Sequence, residues 1–450
     1  MPLQHDSPVA KLTARVNQER AAAVSAPVLP PHSSLFYAFY DAAVFLSYSL
    51  ITCLEFLHPR RKKITNRPLR VFRMSSVIAQ GGVAKVCLQA VLATDPEQAH
   101  IELFVFNSKF PLPEALAQHP EITVHNRKLQ LWFGSYQWKA FRAIFKLAHM
   151  MYRARADVVH VHEPQFAPIA RMASILSNGA PVFVHLHNDY GERWELRRPT
   201  FLQEQMIRHS LHHSHLIACS QTILDAGARW LKLPAAKLHL IEDGTDDIHN
   251  TDPDQALIDD LRQAAQGRII ITKMSHIIGH KRIDDFLVAC RILLDEGYPI
   301  FVLLMCYGKR RARAMMRRQF EVMFAPSEGE LLLHVPNAQA LLPYAGIGVS
   351  ASSLEGLGLN ILEFQVAGLP VVCTDLQPHR EMVEDGVSGL LYETGNVPQL
   401  VAQLKRLLDD PALARQIGAA GQQSARQRTW KKTAANTVEF YKSVLEGRCS

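Results

Sequence analysis

Two glutamates and two glycines between residues 355 and 363 could together bind a phosphorylated sugar. Gly356 and Gly358 carry no side chain, so a ligand can approach the backbone closely. The first amides of a helix that follows such a loop have no acceptor within the helix, and a phosphate would satisfy them together with the helix dipole. Glu355 precedes the predicted helix and Glu363 lies in its first turns. Beside a phosphate pocket, two carboxylates suit the hydroxyls of a sugar and a ribose.

A strand, a loop and a helix are predicted to position these residues. Residues 347–351 form a short apolar run typical of a buried strand, and residues 352–358 have the composition of a loop. A helical period begins at Leu359, and residues 371–373 resume a strand. Helical-wheel geometry places Glu363 about 130° from the centre of the apolar face, so we expect it to project away from the core. Spacing alone favours an ordinary amphipathic helix with two exposed acids.

The sequence of this stretch resembles the donor-site signature of the family 4 retaining glycosyltransferases of GT-B fold. The resemblance rests on Ser-Leu-Glu-Gly-Leu-Gly-Leu-Asn-Ile-Leu-Glu at residues 353–363 and Ala-Gly-Leu-Pro-Val-Val at residues 367–372, and it extends over residues 68–447. It implies an α/β fold with two doubly wound Rossmann-like domains that face a cleft. It also implies transfer of a sugar from a nucleotide-sugar to an acceptor hydroxyl, with the anomeric configuration retained.

The resemblance gives a role to each residue of the stretch. Glu355 would be a catalytic residue that holds the sugar hydroxyls, and Glu363 would bind the ribose. The backbone amides of Gly356, Leu357 and Gly358 would bind the donor phosphates. One such preorganised donor to a developing negative charge is typically worth about 3 kcal/mol.

Two lysines are candidates for holding the diphosphate. In the family a strand ends in Gly-Arg, and a Lys-Gly or Lys-Arg follows a few residues later. Here the strand is predicted over residues 269–271, and Lys281 fits the second position well. Lys273 occupies the first position in place of arginine, and the loop between the two lysines is longer than in the family. Both are assigned to donor binding, and Lys281 also to catalysis, whereas the alternative for each is a solvated loop lysine. Because fixed cations make a divalent metal dispensable, we expect no metal and no cofactor beyond the nucleotide-sugar co-substrate.

The first α/β unit is predicted to open with a strand, a glycine turn and a helix. Residues 69–74 form the strand, and Gly81-Gly82 stands at the start of the helix. The spacing does not match the dinucleotide fingerprint G-x-G-x-x-G, so a Rossmann dehydrogenase is not supported. A Gly-Gly pair is usually only a turn, but the resemblance implies that Gly82 faces the donor phosphate across the cleft.

Two further predicted strands end in His-x-His, within residues 156–164 and 180–189. Ligands of open parallel sheets bind beyond the carboxyl ends of strands, so His162 and His187 lie where function is expected. The resemblance implies that His187 is catalytic and orients the sugar or the acceptor. Alternating histidines on one face of a strand could also bind zinc, but no matching cysteine or carboxylate spacing supports a metal site. The remaining alternative is a pair of hydrogen-bonded structural histidines.

Composition limits the class of protein and its partners. The 450 residues allow two or three domains, and the net charge of +7 favours anionic partners such as nucleotide-sugars or acidic lipids. No aromatic or motif context supports binding to nucleic acid. The seven cysteines form no Cys-x-x-Cys motif, and the first 30 residues lack the apolar core of a signal peptide. These features predict a cytoplasmic protein.

The N-terminal extension contains an aromatic-rich apolar stretch, residues 35–57, followed by the basic cluster Arg60–Lys63. The stretch is long enough to cross a bilayer, but Asp41 and Glu55 make it a weak spanning candidate. Such a helix next to a basic cluster is typical of an anchor on an anionic membrane surface. We therefore expect a peripheral protein on the inner face of a membrane, with a glycan or lipid-linked acceptor. The alternative is a helix packed on its own domain.

The sequence predicts four segments and one leading function. The segments are the extension at 1–66, an acceptor-binding domain at 67–247, a nucleotide-sugar-binding domain at 248–430 and a return helix at 431–450 that packs on the first domain. The leading function is sugar transfer in the synthesis of a glycolipid or a cell-surface polysaccharide. An epimerase or hydrolase of the same fold would use the donor pocket without an acceptor, and a scaffold would keep the fold without the chemistry.

Overall fold

The computed structural model describes residues 45–53, 67–76, 81–106, 112–126, 138–189, 201–245, 254–335 and 337–448. The chain divides into two compact units. The N-terminal unit contains the described residues of Ser34–Gly244 and Arg428–Ser450, and the C-terminal unit contains those of Thr245–Gln427. Each unit has its own parallel sheet.

A seven-stranded parallel sheet forms the centre of the N-terminal unit, in the order β3-β2-β1-β4-β5-β6-β7. Its strands are β1 (Leu69–Ser75), β2 (Ala99–Val105), β3 (Thr123–Asn126), β4 (Val158–Val161), β5 (Val182–Leu186), β6 (His215–Ala218) and β7 (Leu238–Leu240). Every residue of β4 and β5 is buried, as expected for central strands of a covered parallel sheet. The strand order reverses beside β1, which is the switch point where such sheets bind ligands.

Helices connect these strands along the chain. They are α1 (45–53), α2 (Gly82–Leu92), α3 (Trp138–Ala154), α4 (Ala167–Ile175), α5 (Phe201–His212) and α6 (Gln221–Leu231), with short 3₁₀ helices at Glu114–Gln118, Pro164–Phe166 and Ala235–Lys237. The start of α6 is fixed by Ser220, whose Oγ accepts a hydrogen bond of 3.2 Å from the amide of Ile223. Such a cap satisfies an amide that the helix itself cannot pair.

Helix α1 is the described part of the N-terminal extension, and it packs on the N-terminal unit. Tyr48 is 2% exposed, and its hydroxyl lies 2.7 Å from both His209 Nδ1 and Ser210 Oγ on α5. Leu46 and Leu50 lie one helical turn apart and are 68% and 69% exposed. Among the described residues, no helix is long and apolar enough to cross a membrane. The basic cluster at 60–63 lies outside the described residues.

A six-stranded parallel sheet forms the centre of the C-terminal unit, in the order β10-β9-β8-β11-β12-β13. Its strands are β8 (Ile269–His276), β9 (Ile300–Tyr307), β10 (Gly329–Leu333), β11 (Ile347–Ser350), β12 (Val371–Thr374) and β13 (Leu390–Tyr392). Its helices are α7 (Gln255–Ala265), α8 (Ile283–Asp295), α9 (Arg310–Met323), α10 (Leu359–Val366), α11 (Gln377–Arg380), α12 (Val397–Asp409) and α13 (Pro411–Ala425), with 3₁₀ helices at Gly279–Lys281 and Ala338–Tyr344.

The last helix, α14 (Trp430–Leu445), belongs to the N-terminal unit. Its residues Val438, Phe440 and Tyr441 join the buried apolar cluster that contains residues of β1 and β5. The segment after β7 requires a glycine at position 244, because a Cβ there would lie 2.4 Å from the carbonyl carbon of Thr429, just before α14. This close approach joins the end of β7 to the start of α14.

Candidate functional site

The predicted loop and helix in the C-terminal unit lie where the sequence placed them. The loop at 352–358 joins β11 to α10. It is held by Thr374, whose Oγ1 donates a hydrogen bond of 2.6 Å to the Ser352 carbonyl, and by the Ser353 amide, which donates one of 2.7 Å to the His280 carbonyl. The second contact joins the loop to the 3₁₀ turn that carries Lys281, so two of the predicted donor-site segments lie side by side.

Glu355 and Lys281 form an ion pair within this arrangement. Lys281 Nζ donates a hydrogen bond to the Glu355 carboxylate, and Ser352 Oγ donates a second one of 2.6 Å. The Glu355 side chain is 10% exposed. Burial by itself would raise the pKa of Glu355, but the charge of Lys281 and the two hydrogen bonds lower it to about 2. Glu355 is therefore an ionised carboxylate at neutral pH.

Gly358 explains how the loop passes into α10. It immediately precedes the helix with φ 100°, a conformation that favours glycine. A Cβ there would also lie 3.1 Å from Met382 Cε and 3.3 Å from the His379 ring. A side chain at position 358 would therefore strain the backbone and crowd its neighbours.

The expectation for Glu363 was wrong in one respect, because this residue is only 8% exposed. Helix α10 is covered on more than its apolar face, because it packs on β11 and β12 and also against α13. Tyr307, at the end of β9, interacts electrostatically with both Glu363 and Glu355. Burial, followed by these two carboxylates, raises the pKa of Tyr307 to about 12. The structure thus places both predicted carboxylates near one tyrosine that the sequence did not single out.

Lys273 does not lie in a loop, because β8 continues beyond the predicted residues 269–271 to His276. The lysine is fully buried, and its Nζ has no hydrogen-bond partner among the described residues. Burial, followed by the nearby charge of Lys281, lowers its pKa to about 8, although Glu355 acts in the opposite direction. A buried ammonium without a hydrogen bond is costly, so a bound anion would stabilise it. The alternative of a solvated lysine is excluded for Lys273.

His276 is a candidate that the sequence analysis missed. His276 is the last residue of β8. In the family, the arginine that binds the diphosphate stands at this end of the strand. Its ring stacks on Tyr307 at the end of β9, with ring centroids 4.7 Å apart. The apolar run predicted a strand that ends at residue 271. The strand in fact continues through polar side chains to His276, which the hydrophobic pattern did not include.

In the N-terminal unit, the histidines of the two His-x-His segments form one buried stack. His160, His162 and His185 are at most 2% exposed and His187 is 7% exposed. His162 Nδ1 lies 3.2 Å from His187 Nε2, and the rings of His185 and His187 stack with centroids 4.0 Å apart. Burial, followed by the buried Arg73 guanidinium, lowers the pKa of His187 to about 3. Its imidazole is therefore neutral at physiological pH.

Two acids next to this histidine stack were also missed. Asp243 follows β7, and its Oδ2 lies 3.9 Å from His187 Nδ1. Glu163 follows His162 directly and accepts a hydrogen bond of 3.1 Å from the Ser76 amide. Burial raises the pKa of Asp243 to about 8, and that of Glu163 to about 7 against the opposing effect of its bonds to Ser76. Asp243 lies in the loop sequence Glu-Asp-Gly-Thr-Asp at residues 242–246, which the hydrophobic pattern of the strands does not include.

Gly82 is the first residue of α2, and it is exposed. Gly81 before it has φ 104°, so the glycine turn that the sequence predicted here requires a glycine at 81. Residues 77–80 lie outside the described residues. The assignment of Gly82 to donor binding stays a prediction.

The chain matches two family models and several known glycosyltransferases. Residues 80–248 match the model described as Glycosyltransferase Family 4, and residues 256–424 match that of Glycosyl transferases group 1. The alpha-D-kanosaminyltransferase of Streptomyces kanamyceticus is 22% identical over 67% of this chain and 84% of its own length. The phosphatidyl-myo-inositol mannosyltransferase of Mycobacterium leprae is 32% identical over 20% of this chain and 24% of its own length. The chain spans about a quarter of the length of the first curated relatives that it matches.

The fold also has solved counterparts. The structure of HepE from Anabaena in complex with UDP-glucose superimposes with a TM-score of 0.68 and 17% identity, covering 83% of this chain and 99% of that one. Together with the two parallel sheets, this likeness establishes two Rossmann-like units of GT-B type and confirms the predicted fold class.

Proposed function

Because the chain belongs to the group 1 glycosyl transferases, we propose that it transfers a sugar from a nucleoside-diphosphate sugar to an acceptor hydroxyl with retention of configuration. The observation that carries this proposal is the arrangement of Lys281, Glu355 and Ser352 beside the buried Lys273. It offers cations for a diphosphate and an ionised carboxylate for sugar hydroxyls, carried by β8, the 3₁₀ turn after it and the loop at 352–358.

The proposed mechanism assigns the developing negative charge to the C-terminal unit. When the bond between the sugar and the diphosphate breaks, negative charge builds on the phosphate oxygens. That charge would be stabilised by the ammonium groups of Lys273 and Lys281 and by the backbone amides of Gly356, Leu357 and Gly358. These groups are fixed before the reaction, so no reorganisation opposes it. Because Lys273 is buried, its interaction with the diphosphate is screened less than that of a surface lysine.

The carboxylates and His187 would position the neutral parts of the reactants. Glu355 would accept hydrogen bonds from sugar hydroxyls in its ionised form, and Glu363 from the ribose. His187 has a neutral imidazole, which suits hydrogen bonding to the sugar or the acceptor rather than binding of phosphate. With the cations supplied by the chain, the reaction as proposed uses no divalent metal.

The acceptor is proposed to be a glycan or a lipid-linked molecule at the inner face of an anionic membrane. Two features support a peripheral membrane contact. Leu46 and Leu50 are exposed on α1, and the basic residues 60–63 follow in the sequence. The proposed pathway is the synthesis of a glycolipid or a cell-surface polysaccharide.

Incubation of the purified protein with a panel of labelled nucleotide-sugars, with and without membrane extract, tests this function. A transferase forms a labelled product that requires the extract, and that product keeps the anomeric configuration of the donor. Turnover that is equal without extract would indicate an epimerase or a hydrolase. Absence of turnover with every donor in the presence of extract would indicate a scaffold.

A further inference from the structure

Three buried side chains of the N-terminal unit converge at the carboxyl ends of β5 and β7. His185 lies in β5, His187 follows the strand, and Asp243 follows β7. Residues i and i+2 of a strand share a face, so the two rings lie on the same side of the sheet. One nitrogen of each histidine and one oxygen of Asp243 all lie within 4.8 Å of one another.

Each of these three side chains has a buried nitrogen or oxygen atom without a hydrogen-bond partner among the described residues. His187 Nε2 is engaged by His162 at 3.2 Å, whereas His187 Nδ1 has no hydrogen-bond partner among the described residues. The same holds for His185 Nε2 and for Asp243 Oδ1. Buried polar atoms are nearly always paired, so three such atoms in one place indicate a missing partner. A cation that accepts two imidazole nitrogens and a carboxylate oxygen would satisfy all three at once.

The geometry and the donor atoms select the class of cation. Zinc binds imidazole nitrogen and carboxylate oxygen at about 2.0–2.2 Å, so its ligand atoms lie about 3.3–3.5 Å apart in a tetrahedral site. The distance between His187 Nδ1 and Asp243 Oδ2 is 3.9 Å, and all three ligand atoms lie within 4.8 Å of one another, so the side chains would have to close on the ion. Magnesium and calcium prefer oxygen ligands throughout, so two imidazoles disfavour them. Imidazole is instead a preferred ligand of zinc, copper, nickel and iron.

Charge distinguishes this group from a second one beside it. His160, His162 and His185 also bring three ligand atoms within 4.8 Å of one another. That group contains no anion, and His160 contacts the Tyr441 hydroxyl, which lies 3.4 Å from Nη2 of the buried Arg73. The Arg73 guanidinium interacts with the histidines of both groups and would repel a divalent cation in either one, but the group with His160 has no anion to offset that repulsion. The group with Asp243 supplies a carboxylate.

We propose that His185, His187 and Asp243 bind a transition-metal ion of the zinc class. The ion is not a participant in sugar transfer. By holding Nδ1 of His187, it would restrain the imidazole that the reaction uses and would thereby inhibit the enzyme. This inhibitory consequence rests on the proposed function, whereas binding of the metal does not.

The test uses full-length protein that has been stripped of metal with a chelator and then titrated with Co²⁺, whose visible absorption reports nitrogen and oxygen ligation. The decisive variant is Asp243→Asn, which keeps the size of the side chain and removes its negative charge. His160→Gln is the matched control, since it alters only the neighbouring group. Circular dichroism confirms that each variant is folded.

We expect one equivalent of Co²⁺ to bind wild-type protein and to be displaced by Zn²⁺. Asp243→Asn should weaken binding at least tenfold, and His160→Gln should change it less than threefold. No saturable Co²⁺ spectrum in wild-type protein, or equal affinity in Asp243→Asn, would overturn the proposal. So would loss of binding in His160→Gln alone, because the metal would then belong to the neighbouring group.

Inhibition is measured separately, so that its failure does not bear on binding. One equivalent of Zn²⁺ should lower transfer by wild-type protein at least tenfold. The Asp243→Asn protein should be inhibited less, relative to its own metal-free rate. A Co²⁺ spectrum without any transferase activity would leave the metal site standing and would refute only the proposed function.

Discussion

The two units treat their buried ionisable groups in opposite ways. In the C-terminal unit, Glu355 is held ionised by Lys281, and their charges pair within one loop region. In the N-terminal unit, burial keeps the histidines around His187 uncharged and raises the pKa of Asp243 to about 8. Under the proposed function, the lysines of the C-terminal unit would bind the diphosphate, Glu355 would accept hydrogen bonds from sugar hydroxyls in its ionised form, and the neutral His187 would bind hydroxyls only.

The largest expected effect comes from removing the charge of Glu355. Glu355→Gln should lower turnover about 100- to 1,000-fold, the usual effect of losing one preorganised polar contact in the transition state. The fold should persist, because the change removes charge but little volume. The measurement is the rate of labelled product formation, with the exposed Glu321→Gln on α9 as the matched control. Near-wild-type turnover of Glu355→Gln would refute the assignment of Glu355 to the donor site.

The two lysines should differ in their effects. Lys281→Ala should weaken binding of the donor and lower turnover more than Lys273→Ala, because Lys281 fits the family position and its removal leaves the Glu355 carboxylate without its counter-charge beside the diphosphate. Lys273→Met, which keeps the volume, should raise the free energy of unfolding by about 1–4 kcal/mol, since it removes a buried unpaired charge. Donor titrations and urea unfolding measure these effects. A larger loss of donor affinity for Lys273→Ala than for Lys281→Ala would reverse the assignment.

The buried histidines should make stability depend on pH. Burial lowers the pKa of His187 to about 3 and that of His185 well below its usual value. Below pH 6.5 the unfolded chain therefore binds protons that the folded chain does not, so stability falls as the pH falls towards 3. Each such histidine contributes up to about 1.4 kcal/mol per pH unit.

The slope of the free energy of unfolding against pH tests this effect. In chelator-treated protein, His185→Asn should reduce the pH dependence of the free energy of unfolding between pH 4.5 and 6 by about that amount per unit. An unchanged slope would show that His185 is protonated in the folded state. It would refute the view that the N-terminal unit keeps its buried histidines uncharged.

Membrane binding should depend on the N-terminal extension. Deletion of residues 1–63 should release the protein from liposomes that contain anionic lipid, while the remaining chain still binds nucleotide-sugar. Each basic residue near such a surface contributes about 1 kcal/mol, and salt should weaken that part. Leu46→Ser with Leu50→Ser should weaken flotation without altering the buried Tyr48, and the exposed Val322→Ser serves as control. Equal flotation of the full-length and truncated proteins would leave α1 as a helix that packs only on its own unit.

The smallest effect is expected from a chelator. EDTA should leave the rate of transfer unchanged, or raise it where bound zinc is removed, because fixed lysines supply the positive charge. Complete loss of activity in EDTA, with recovery on addition of manganese or magnesium, would contradict the proposed mechanism.

Local patterns in the sequence were enough to predict the strands and helices near the site. The loop at 352–358, the helix at 359–366 and the strand ends at His162 and His187 follow from periodicity and glycine placement. Glu363 and Lys273 were misplaced because their burial depends on the elements that pack around α10 and on the full length of β8, which no local pattern contains. Asp243 reaches His187 across 56 positions of sequence, a contact that no local pattern contains.

The most direct test of the contrast between the units separates donor binding from turnover in His187→Ala. Affinity is measured by titration with the nucleoside diphosphate of the donor that the transfer assay identifies. We expect His187→Ala to bind this diphosphate within about threefold of wild-type protein while its turnover falls at least tenfold, whereas Lys281→Ala should lose affinity at least tenfold. Loss of diphosphate affinity in His187→Ala with retention in Lys281→Ala would contradict the account.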